Sequence, residues 1–473
     1  MLAFLGVASA LLLAPPILAA PSGAGAAQDL RLVPFPKSAT LEAGHFSFEK
    51  ALTFEISDGQ GELPGQLLNA ELQRAGMRGV RVRRLKSAVP AFRIAARNHS
   101  LILPVLPAQT STESYALDVR ADEIVCAAKE PAGLFWGLQT LCQLIRANRQ
   151  GGTLSCLKIS DWPSLRWRCF QDDLTRGPSS TLDTLKFEAS LGSYLKLNLM
   201  TYYMEYQFAF KKHPKIGPTN GSFTPQDLSA LVDYVKPLHL DVLGNQQSFG
   251  HFGQILKHPE YASLRETPDV LTPVHEETYR FLDDIYSEVC PLLPFPWFNV
   301  CCDETDGLGS GPSRELASSI GVGGVYVRHI RRIHDLLRDR HNKRMMMWGD
   351  IILQHPGNLA EVPKDTIMLI WGYDPRANFE NQILPFSKSG YEFFVCPGVS
   401  DWNRILPDFG VAITNIQNFV RDGARHGAIG MLNTDWEDDA EALKAVKWHA
   451  DAWAAECAWN LSLIHISEPT RPY

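Results

Sequence analysis

Apolar and polar positions divide the chain into two stretches with different periodicities. Residues 30 to about 160 contain alternating runs such as FSFEKALTFEIS and ESYALDVRADEIVCAA, which are typical of half-buried strands. The run AGLFWGLQTLCQLIRA instead places its apolar residues at helical spacing. This part of the chain is therefore predicted to be a strand-rich α+β unit with covering helices.

From DWPSLRW onward, apolar runs of strand length alternate with amphipathic runs of helix length. The helical run TPQDLSALVDYVKPLH begins with Thr224 as its predicted N-cap and Pro225 at the first helical position. Eight runs are predicted as strands: RWRCFQDD, LNLMTYYME, LDVLGNQQSFG, FNVCCDE, RMMMWGD, TIMLIWGY, YEFFVCPG and AIGMLNTDW. Eight buried strands alternating with helices predict a (β/α)₈ TIM barrel. A doubly wound open sheet is the alternative, and the strand count and the length favour the barrel.

The two ends of the chain differ from the rest. Residues 1–28 are apolar, then rich in small residues, which is typical of a secretory signal peptide and predicts export to the periplasm or the outside of the cell. A membrane anchor is the alternative, although Pro15 and Pro16 interrupt the apolar run. At the other end, LSLIHISEPTR resembles a translated sequencing adapter, with a genuine tail as the alternative. We therefore expect domains over residues 29–160 and 161–460, and a non-native tail over residues 461–473.

Composition narrows the possible partners. The chain has 473 residues and a net charge of −7, which argues against a nucleic-acid partner. No later run is long and apolar enough to span a membrane once the signal peptide is cleaved. The nine cysteines show no CxxC spacing, so they predict buried thiols and no metal site, although export would permit disulfides. We expect no cofactor, and the oligomeric state stays open.

Acids and aromatic residues recur where the predicted strands end. Catalytic groups of a TIM barrel lie at this end of its strands. Carboxylates bind hydroxyls and transfer protons, while aromatic faces stack on the C–H faces of a sugar ring. Taken singly, each of these side chains is explained as well by a solvated loop or a packed core, and only the shared position indicates a sugar-binding pocket. The residues are Asp172, Asp173, Glu205, His251, Asp303, Glu304, Trp348, Asp350, Trp371, Tyr373, Asp374, Asp435 and Trp436.

The adjacent acids Asp303 and Glu304, at the end of the fourth predicted strand, resemble the Asp-Glu pair of glycoside hydrolase family 20, the β-N-acetylhexosaminidases. In that family two glycines often precede the pair, whereas Cys301 and Cys302 stand there in this chain. Residues 30–160 resemble the α+β domain that commonly precedes the family's barrel. The resemblance covers nearly the whole predicted mature chain.

Other segments resemble the family's remaining motifs. RWRCFQDDLTR, KLNLMTYYMEY, QQSFGHF, MMMWGD and TDWEDD are similar to its strand-end segments. The resemblance implies an arginine that holds sugar hydroxyls, acids and a histidine that line the pocket, and aromatic residues that enclose the sugar and its acetamide. These substrate-binding residues would be Arg176, Glu205, His251, Trp348, Trp371, Tyr373, Trp436 and Asp438. For each of them a structural role is the alternative: an ion pair, a satisfied core histidine, core packing or an exposed acid.

The resemblance also implies a mechanism. Family 20 is substrate-assisted, so the 2-acetamido oxygen of the substrate attacks the anomeric carbon and forms an oxazoline. Asp303 would stay ionised and orient the acetamide, and Glu304 would donate a proton to the leaving oxygen and later deprotonate water. Neighbouring like charges favour such a pair of one ionised and one protonated acid. If the two residues extended a strand, their side chains would also point to opposite sides.

The expected function is that of an exo-acting β-N-acetylhexosaminidase, which would remove terminal N-acetylglucosamine or N-acetylgalactosamine from a carbohydrate. A glycosidase acting on another N-acetylated glycan is one alternative. A carbohydrate-binding homologue without catalysis is another, and it gains weight from Cys301 and Cys302, because glycine permits a closer backbone approach than cysteine. The sequence does not separate gluco from galacto substrates.

Overall fold

The computed structural model describes residues 27–97, 100–109, 111–438 and 442–461. Apart from residues 27, 28 and 461, the predicted signal peptide and the predicted adapter-derived tail lie outside the described residues. The chain divides into two compact units, with the boundary between Trp162 and Pro163. The sequence-based boundary after residue 160 differs from this division by two residues.

The first unit is an α+β domain built on one seven-stranded sheet. Its strands follow the order β1-β7-β5-β6-β4-β2-β3, and all pairs are antiparallel except β2 with β3. The elements are β1 Ser38–Ser47, β2 Thr53–Ser57, α1 Leu63–Arg74, β3 Arg81–Leu85, β4 Ala91–Ala95, β5 Tyr115–Val119, β6 Glu123–Ala128, α2 Pro131–Asn148 and β7 Thr153–Asp161.

Helix α2 explains why the first unit has a continuous core. It starts with Pro131 in its first turn, and every residue from Gly133 to Ile145 is buried. It packs closely on the sheet, because a Cβ at Gly137 would lie 2.5 Å from Cys126 Sγ. The helical spacing in the sequence therefore predicted this element correctly.

The second unit is a closed barrel of eight parallel strands in the ring order β10-β11-β12-β13-β14-β15-β8-β9. The predicted TIM barrel preceded by a smaller domain is thereby confirmed. The strands are β8 Trp167–Asp173, β9 Leu199–Tyr203, β10 Asp241–Asn245, β11 Trp297–Asn299, β12 Arg344–Trp348, β13 Ile367–Trp371, β14 Phe393–Cys396 and β15 Gly430–Asn433.

Helices follow most of the barrel strands. They are α3 Leu182–Tyr194, α4 Pro225–Val235, α5 Gly253–Leu256, α6 Glu276–Val289, α7 Arg314–His341, α8 Asp350–Gln354, α9 Glu380–Lys388, α10 Phe409–Arg425 and α11 Trp448–Trp459. Helix α4 begins as predicted, with Thr224 and Asp227 forming a capping box and Pro225 in the first turn. Helix α7 breaks at Gly321, where φ is 75°. Among the described residues, no helix is both long and apolar enough to cross a membrane.

The barrel interior is filled by apolar side chains from all its strands, including Leu199, Leu243, Met346, Leu369 and Leu432. All nine cysteines are buried, in agreement with the prediction of ordinary buried thiols. A packed interior leaves the ends of the strands as the place where polar groups can converge.

Candidate active site

The acids Asp303 and Glu304 lie in the loop that follows β11. The sequence predicts a strand that continues to this pair, and this prediction is wrong, because β11 ends at Asn299. Cys301, Cys302 and Glu304 have φ angles of 59°, 66° and 46°, in the left-handed region that extended backbone does not enter. The chain therefore turns sharply at the two acids instead of extending a strand, and both acids reach the same atom, His251 Nε2.

Cys301 and Cys302 occupy two of these left-handed positions, where glycine alone would carry no steric cost. The surrounding structure fixes both residues. The Trp348 amide donates to the Cys301 carbonyl at 3.0 Å, and the Tyr326 hydroxyl donates to the Cys302 carbonyl at 2.9 Å. Both cysteine side chains are also fully buried. The loop keeps a glycine-like backbone although cysteines stand in it, and such strain persists only where neighbours over-determine it.

Asp303 is held as a buried anion. Its Oδ1 accepts a hydrogen bond from Gln247 Nε2 at 2.8 Å, and its Oδ2 lies 3.5 Å from His251 Nε2. Burial alone would raise the pKa of Asp303, but the charge and hydrogen bonding of His251 and the Gln247 donor outweigh burial and hold that pKa below its usual value. Asp303 is therefore ionised near neutral pH.

His251 lies among three carboxylates. Its Nε2 is 3.4 Å from Glu304 Oε2 and 3.5 Å from Asp303 Oδ2, and its Nδ1 is 3.8 Å from Glu205 Oε1. Burial lowers the pKa of His251, but the neighbouring acids prevail and raise it to about 11. The side chain is therefore an imidazolium near neutral pH and supplies positive charge to all three acids.

Glu304 differs from Asp303 in its exposure. Its side chain is 58% exposed, against 13% for Asp303. One histidine thus contacts a buried acid and an open acid that are adjacent in sequence. The buried acid can stabilise positive charge, while the open acid can reach a group that arrives from solvent.

Glu205 completes the ring of acids around His251. It accepts a hydrogen bond from the Tyr203 hydroxyl at 2.9 Å, and that hydroxyl accepts one from Gln247 Nε2 at 3.0 Å. Burial raises the pKa of Glu205 to about 7, against the lowering effect of His251 and Arg176. A continuous set of hydrogen bonds therefore links Glu205 to the amide that also holds Asp303.

Arg176 forms the opposite side of the site. Its Nε donates to Asp173 Oδ2 at 2.9 Å, and its Nη1 donates to Asp438 Oδ1. The guanidinium lies over the rings of Tyr203 and Trp436, at 4.7 and 4.8 Å from their centroids. The Arg176 side chain remains 24% exposed, so a ligand can reach it although it is already paired with two acids.

The aromatic residues form one connected group. Trp436 Nε1 donates to the Tyr373 hydroxyl at 2.7 Å, and Trp371 stacks on Tyr373 at 5.3 Å with an interplanar angle of 18°. Trp348 lies 6.0 Å from Trp436 and is only 1% exposed. It therefore packs inside the barrel, where it supports the more accessible rings.

The structure brings all ten predicted residues into one contact network at this end of the barrel, and their individual roles stay predictions. Four further residues belong to the network and are not among these ten, although Asp173 and Asp350 are among the acids at predicted strand ends. Gln247 and Tyr203 bind the acids directly, Asp173 binds Arg176, and Asp350 Oδ2 accepts the Glu304 amide at 3.2 Å. Their position at strand ends was the available signal, but a strand end does not show which hydrogen bonds form.

A second group of acids has carboxylates that lie close enough together to bind one metal cation. Asp172, Asp435 and Glu437 are buried, and one ligand atom from each lies within 4.8 Å of the others. However, Lys444 Nζ is 2.6 Å from Asp172 and 2.9 Å from Glu437, and Lys447 Nζ is 2.5 Å from Asp435. These ammonium groups already compensate the carboxylates, which makes the group a buried ion-pair network.

Comparison with known families decides which proteins the chain is related to. Residues 29–162 match the model of glycosyl hydrolase family 20, domain 2, and residues 193–400 match the model of the same family's catalytic domain. The chain belongs to glycosyl hydrolase family 20. The family resemblance of the sequence is thereby confirmed. Arg176, Trp436 and Asp438 lie outside residues 193–400, so their place in the family 20 site rests on the structure.

Curated relatives are distant and longer than the aligned part of this chain. The β-hexosaminidase of Porphyromonas gingivalis is 24% identical over an alignment of 325 positions, which covers 59% of this chain and 40% of that protein. Hexosaminidase D of Bos taurus is 25% identical over an alignment of 206 positions, which covers 40% of this chain and 60% of that protein. The chain thus spans about half the length of these relatives.

Solved structures of the family have the same fold. An exo-β-N-acetylglucosaminidase from Vibrio harveyi, in complex with N-acetylglucosamine, aligns with a TM-score of 0.72 and 18% identity over 95% of this chain and 77% of that one. The N-acetyl-β-hexosaminidase of Streptomyces plicatus aligns with a TM-score of 0.71 and 19% identity over 91% and 90%. At such identities the likeness supports the family 20 fold.

Proposed function

We propose that this protein is an exo-acting β-N-acetylhexosaminidase that hydrolyses terminal β-linked N-acetylglucosamine or N-acetylgalactosamine with retention of configuration. The observation that carries the proposal is the contact of one imidazolium with two adjacent and unlike acids. Asp303 is buried and its pKa is lowered, whereas Glu304 is exposed, and His251 lies within 3.5 Å of both. Membership of family 20 and the names of the curated relatives support the same substrate class.

The chemistry follows from this division. The acetamido oxygen of the substrate attacks the anomeric carbon, and the developing positive charge on the acetamide is stabilised by the Asp303 carboxylate. Glu304 donates its proton to the departing glycosidic oxygen. It then removes a proton from water, whose oxygen attacks the anomeric carbon and opens the oxazoline. The acetamido oxygen attacks from the face opposite the leaving oxygen, and water attacks from the face that this oxygen has left. Two inversions therefore retain the configuration.

The remaining residues position the sugar. Arg176 and Asp438 are proposed to hold sugar hydroxyls by charge-assisted hydrogen bonds, since both are partly exposed next to Trp436. Tyr373 and Trp371 would enclose the acetamide, and Trp348 would support them from inside the barrel. The positive charge of the His251 imidazolium, together with Glu205, would balance the charge on Asp303 and Glu304.

The test is replacement of Glu304 by alanine, assayed on 4-nitrophenyl N-acetyl-β-glucosaminide and on the disaccharide N,N′-diacetylchitobiose. General acid–base catalysis supplies about 10²–10⁴-fold, so we expect kcat to fall by roughly 100-fold or more. The loss should be larger on the disaccharide, because a sugar alkoxide leaves less readily than nitrophenolate. Glu277→Ala, at an exposed glutamate of helix α6, is the matched control.

Unchanged turnover by the Glu304→Ala variant would contradict the mechanism. Calorimetric binding of N-acetylglucosamine by a wild-type sample that forms no product would instead indicate a carbohydrate-binding homologue. A panel of nitrophenyl N-acetylhexosaminides assayed alongside separates gluco from galacto substrates and detects activity on other N-acetylated glycans.

We also propose that the protein is exported. The support is the apolar segment at residues 1–28, followed by small residues suited to signal cleavage. Amino-terminal sequencing of the protein recovered outside the cytoplasm should find a start near Pro21 or Ala27. Recovery in the cytoplasmic fraction with an intact first residue would contradict export.

A further inference from the structure

We propose that Asp350 is a positioning residue that fixes the backbone of Glu304 for proton transfer. The inference rests on the proposed function, and it assigns a role to a strand-end acid that is not among the ten predicted site residues. Asp350 is the first residue of helix α8, two positions after Trp348. Its Oδ2 accepts a hydrogen bond from the Glu304 amide at 3.2 Å.

The Glu304 backbone needs such a contact. With φ at 46°, Glu304 lies in the left-handed region, which is unfavourable for a residue with a side chain. The loop has little room on its other side, since a Cβ at Gly250 would lie 2.5 Å from the Asp303 carbonyl and 3.3 Å from the Glu304 carbonyl. The Asp350 hydrogen bond and this close packing together hold the turn, and the turn directs the Glu304 side chain.

Asp350 lies next to the site and is partly buried. Its other oxygen, Oδ1, is buried and has no hydrogen-bond partner within the described part of the chain. Asp350 also lines a cavity of about 190 Å³, together with Gly349, Leu353, Ile370, Trp371 and Gln382. A cavity of this size has room for water beside a carboxyl group. Asp350 can therefore carry a charge although protein surrounds it.

The titratable groups that face Asp350 are Asp303, Glu304, Cys302 and Tyr326. Burial and the nearby Asp303 charge raise the pKa of Asp350 to about 7. Its carboxyl group thus becomes charged within the pH range where such an enzyme would be assayed. That charge strengthens the hydrogen bond from the Glu304 amide and disfavours a further negative charge beside it.

Two substitutions separate positioning from simple packing. Asp350→Ala removes the acceptor, so we expect kcat to fall about 10–100-fold with KM within about threefold, because positioning acts on the chemical step. Asp350→Asn keeps the shape and an acceptor oxygen, so it should restore kcat to within about fivefold of the wild type. The asparagine variant lacks the charge, so the alkaline limb of its pH profile of kcat/KM should move to lower pH.

The variants are compared with Glu304→Ala and with Asp339→Asn, an exposed acid on helix α7 that serves as the control. Wild-type kcat in Asp350→Ala, or equal losses in both Asp350 variants with an unmoved alkaline limb, would overturn the inference. If Glu304→Ala is inactive while Asp350→Ala behaves like the wild type, only this inference fails. If Glu304→Ala keeps full activity, the proposed function itself fails.

Discussion

Two groups of acids occur in the barrel unit, and they differ in how their charge is compensated. In the group around Asp303 and Glu304, one histidine lies 3.4–3.8 Å from three carboxylates, and one of these acids is mostly exposed. In the group around Asp172 and Asp435, two lysines make contacts as short as 2.5–2.6 Å.

The comparison shows that burial of acids does not by itself mark a reactive site. The carboxylates of the lysine-compensated group are shut off from solvent, since Asp172 is 0% exposed and Asp435 and Glu437 are 1% exposed. It holds the segment that carries Trp436, because Asp435 and Glu437 flank that tryptophan in sequence and anchor to Lys447 and Lys444. The histidine-compensated group keeps Glu304 open and is the group suited to chemistry.

The largest expected effect is on activity, from Asp303→Asn. If Asp303 stabilises the acetamide as proposed, removal of its charge should lower kcat by about 10²–10³-fold, the range measured for single electrostatic groups in active sites. The free energy of unfolding should change by less than about 2 kcal/mol, because the amide keeps the shape and the Gln247 hydrogen bond can persist. Steady-state kinetics and urea unfolding of the same sample measure both. A large loss of unfolding free energy with full specific activity would indicate that Asp303 serves stability and not catalysis.

Lys447→Met should have the opposite effect. Breaking a buried ion pair by removing one partner costs about 3–5 kcal/mol, because the other charge is left uncompensated. The carboxylates of Asp435 and Asp172 lie 2.5 and 3.4 Å from the Lys447 ammonium. Lys158→Met, at a lysine that is 56% exposed in the first unit, is the control and should cost less than about 1 kcal/mol. Equal unfolding free energies for the two variants would contradict a structural role for the buried group.

The stability of the protein should fall as pH rises from about 4.5 to about 8. Burial raises the pKa of Glu188 and of Glu437 to about 8, above the ordinary value of 4.5 for both. The folded state therefore keeps protons that the unfolded state has released, so this stabilisation is complete below pH 4.5 and is lost as pH rises through 8. Thermal unfolding across this range measures the slope, and Glu188→Gln should flatten it. A Tm that rises across the range would contradict the assignment.

The smallest effect is expected at Cys302. Cys302→Gly relieves left-handed strain of about 1–2 kcal/mol but loses a buried side chain and adds unfolded-state freedom, so the net change should stay within about 1 kcal/mol. Cys396→Gly, in strand β14, relieves no strain and should cost about 2–3 kcal/mol. Denaturant unfolding of both variants tests this difference. A loss at Cys302 as large as at Cys396 would show that the loop carries no strain.

The barrel could be predicted from the sequence because each strand is an apolar run and each helix an amphipathic one. The strand-end rule then located the acids and aromatic residues that converge. The fourth strand could not be predicted to its end, because Val300, Cys301 and Cys302 are buried like strand residues although their backbone turns. An apolar pattern reports burial, and burial does not determine φ.

The supporting contacts of the site were also beyond the sequence. Gln247 binds Asp303, and Asp350 binds the Glu304 amide, across separations of 56 and 46 residues. Nothing in their local sequence distinguishes them from other polar residues at strand ends. Trp348 was placed near the pocket by its sequence motif. Its side chain is only 1% exposed, so it packs in the barrel interior, which the motif could not show.

In the proposed mechanism the substrate's own acetamide is the nucleophile and Asp303 directs it. This is tested by kcat/KM on aryl β-glucosaminides whose N-acetyl group carries no, one, two or three fluorines. Because fluorine withdraws electrons from the amide oxygen, we expect a steady fall along the series, and a weaker dependence in Asp303→Asn. A kcat/KM that does not change with fluorination would contradict it.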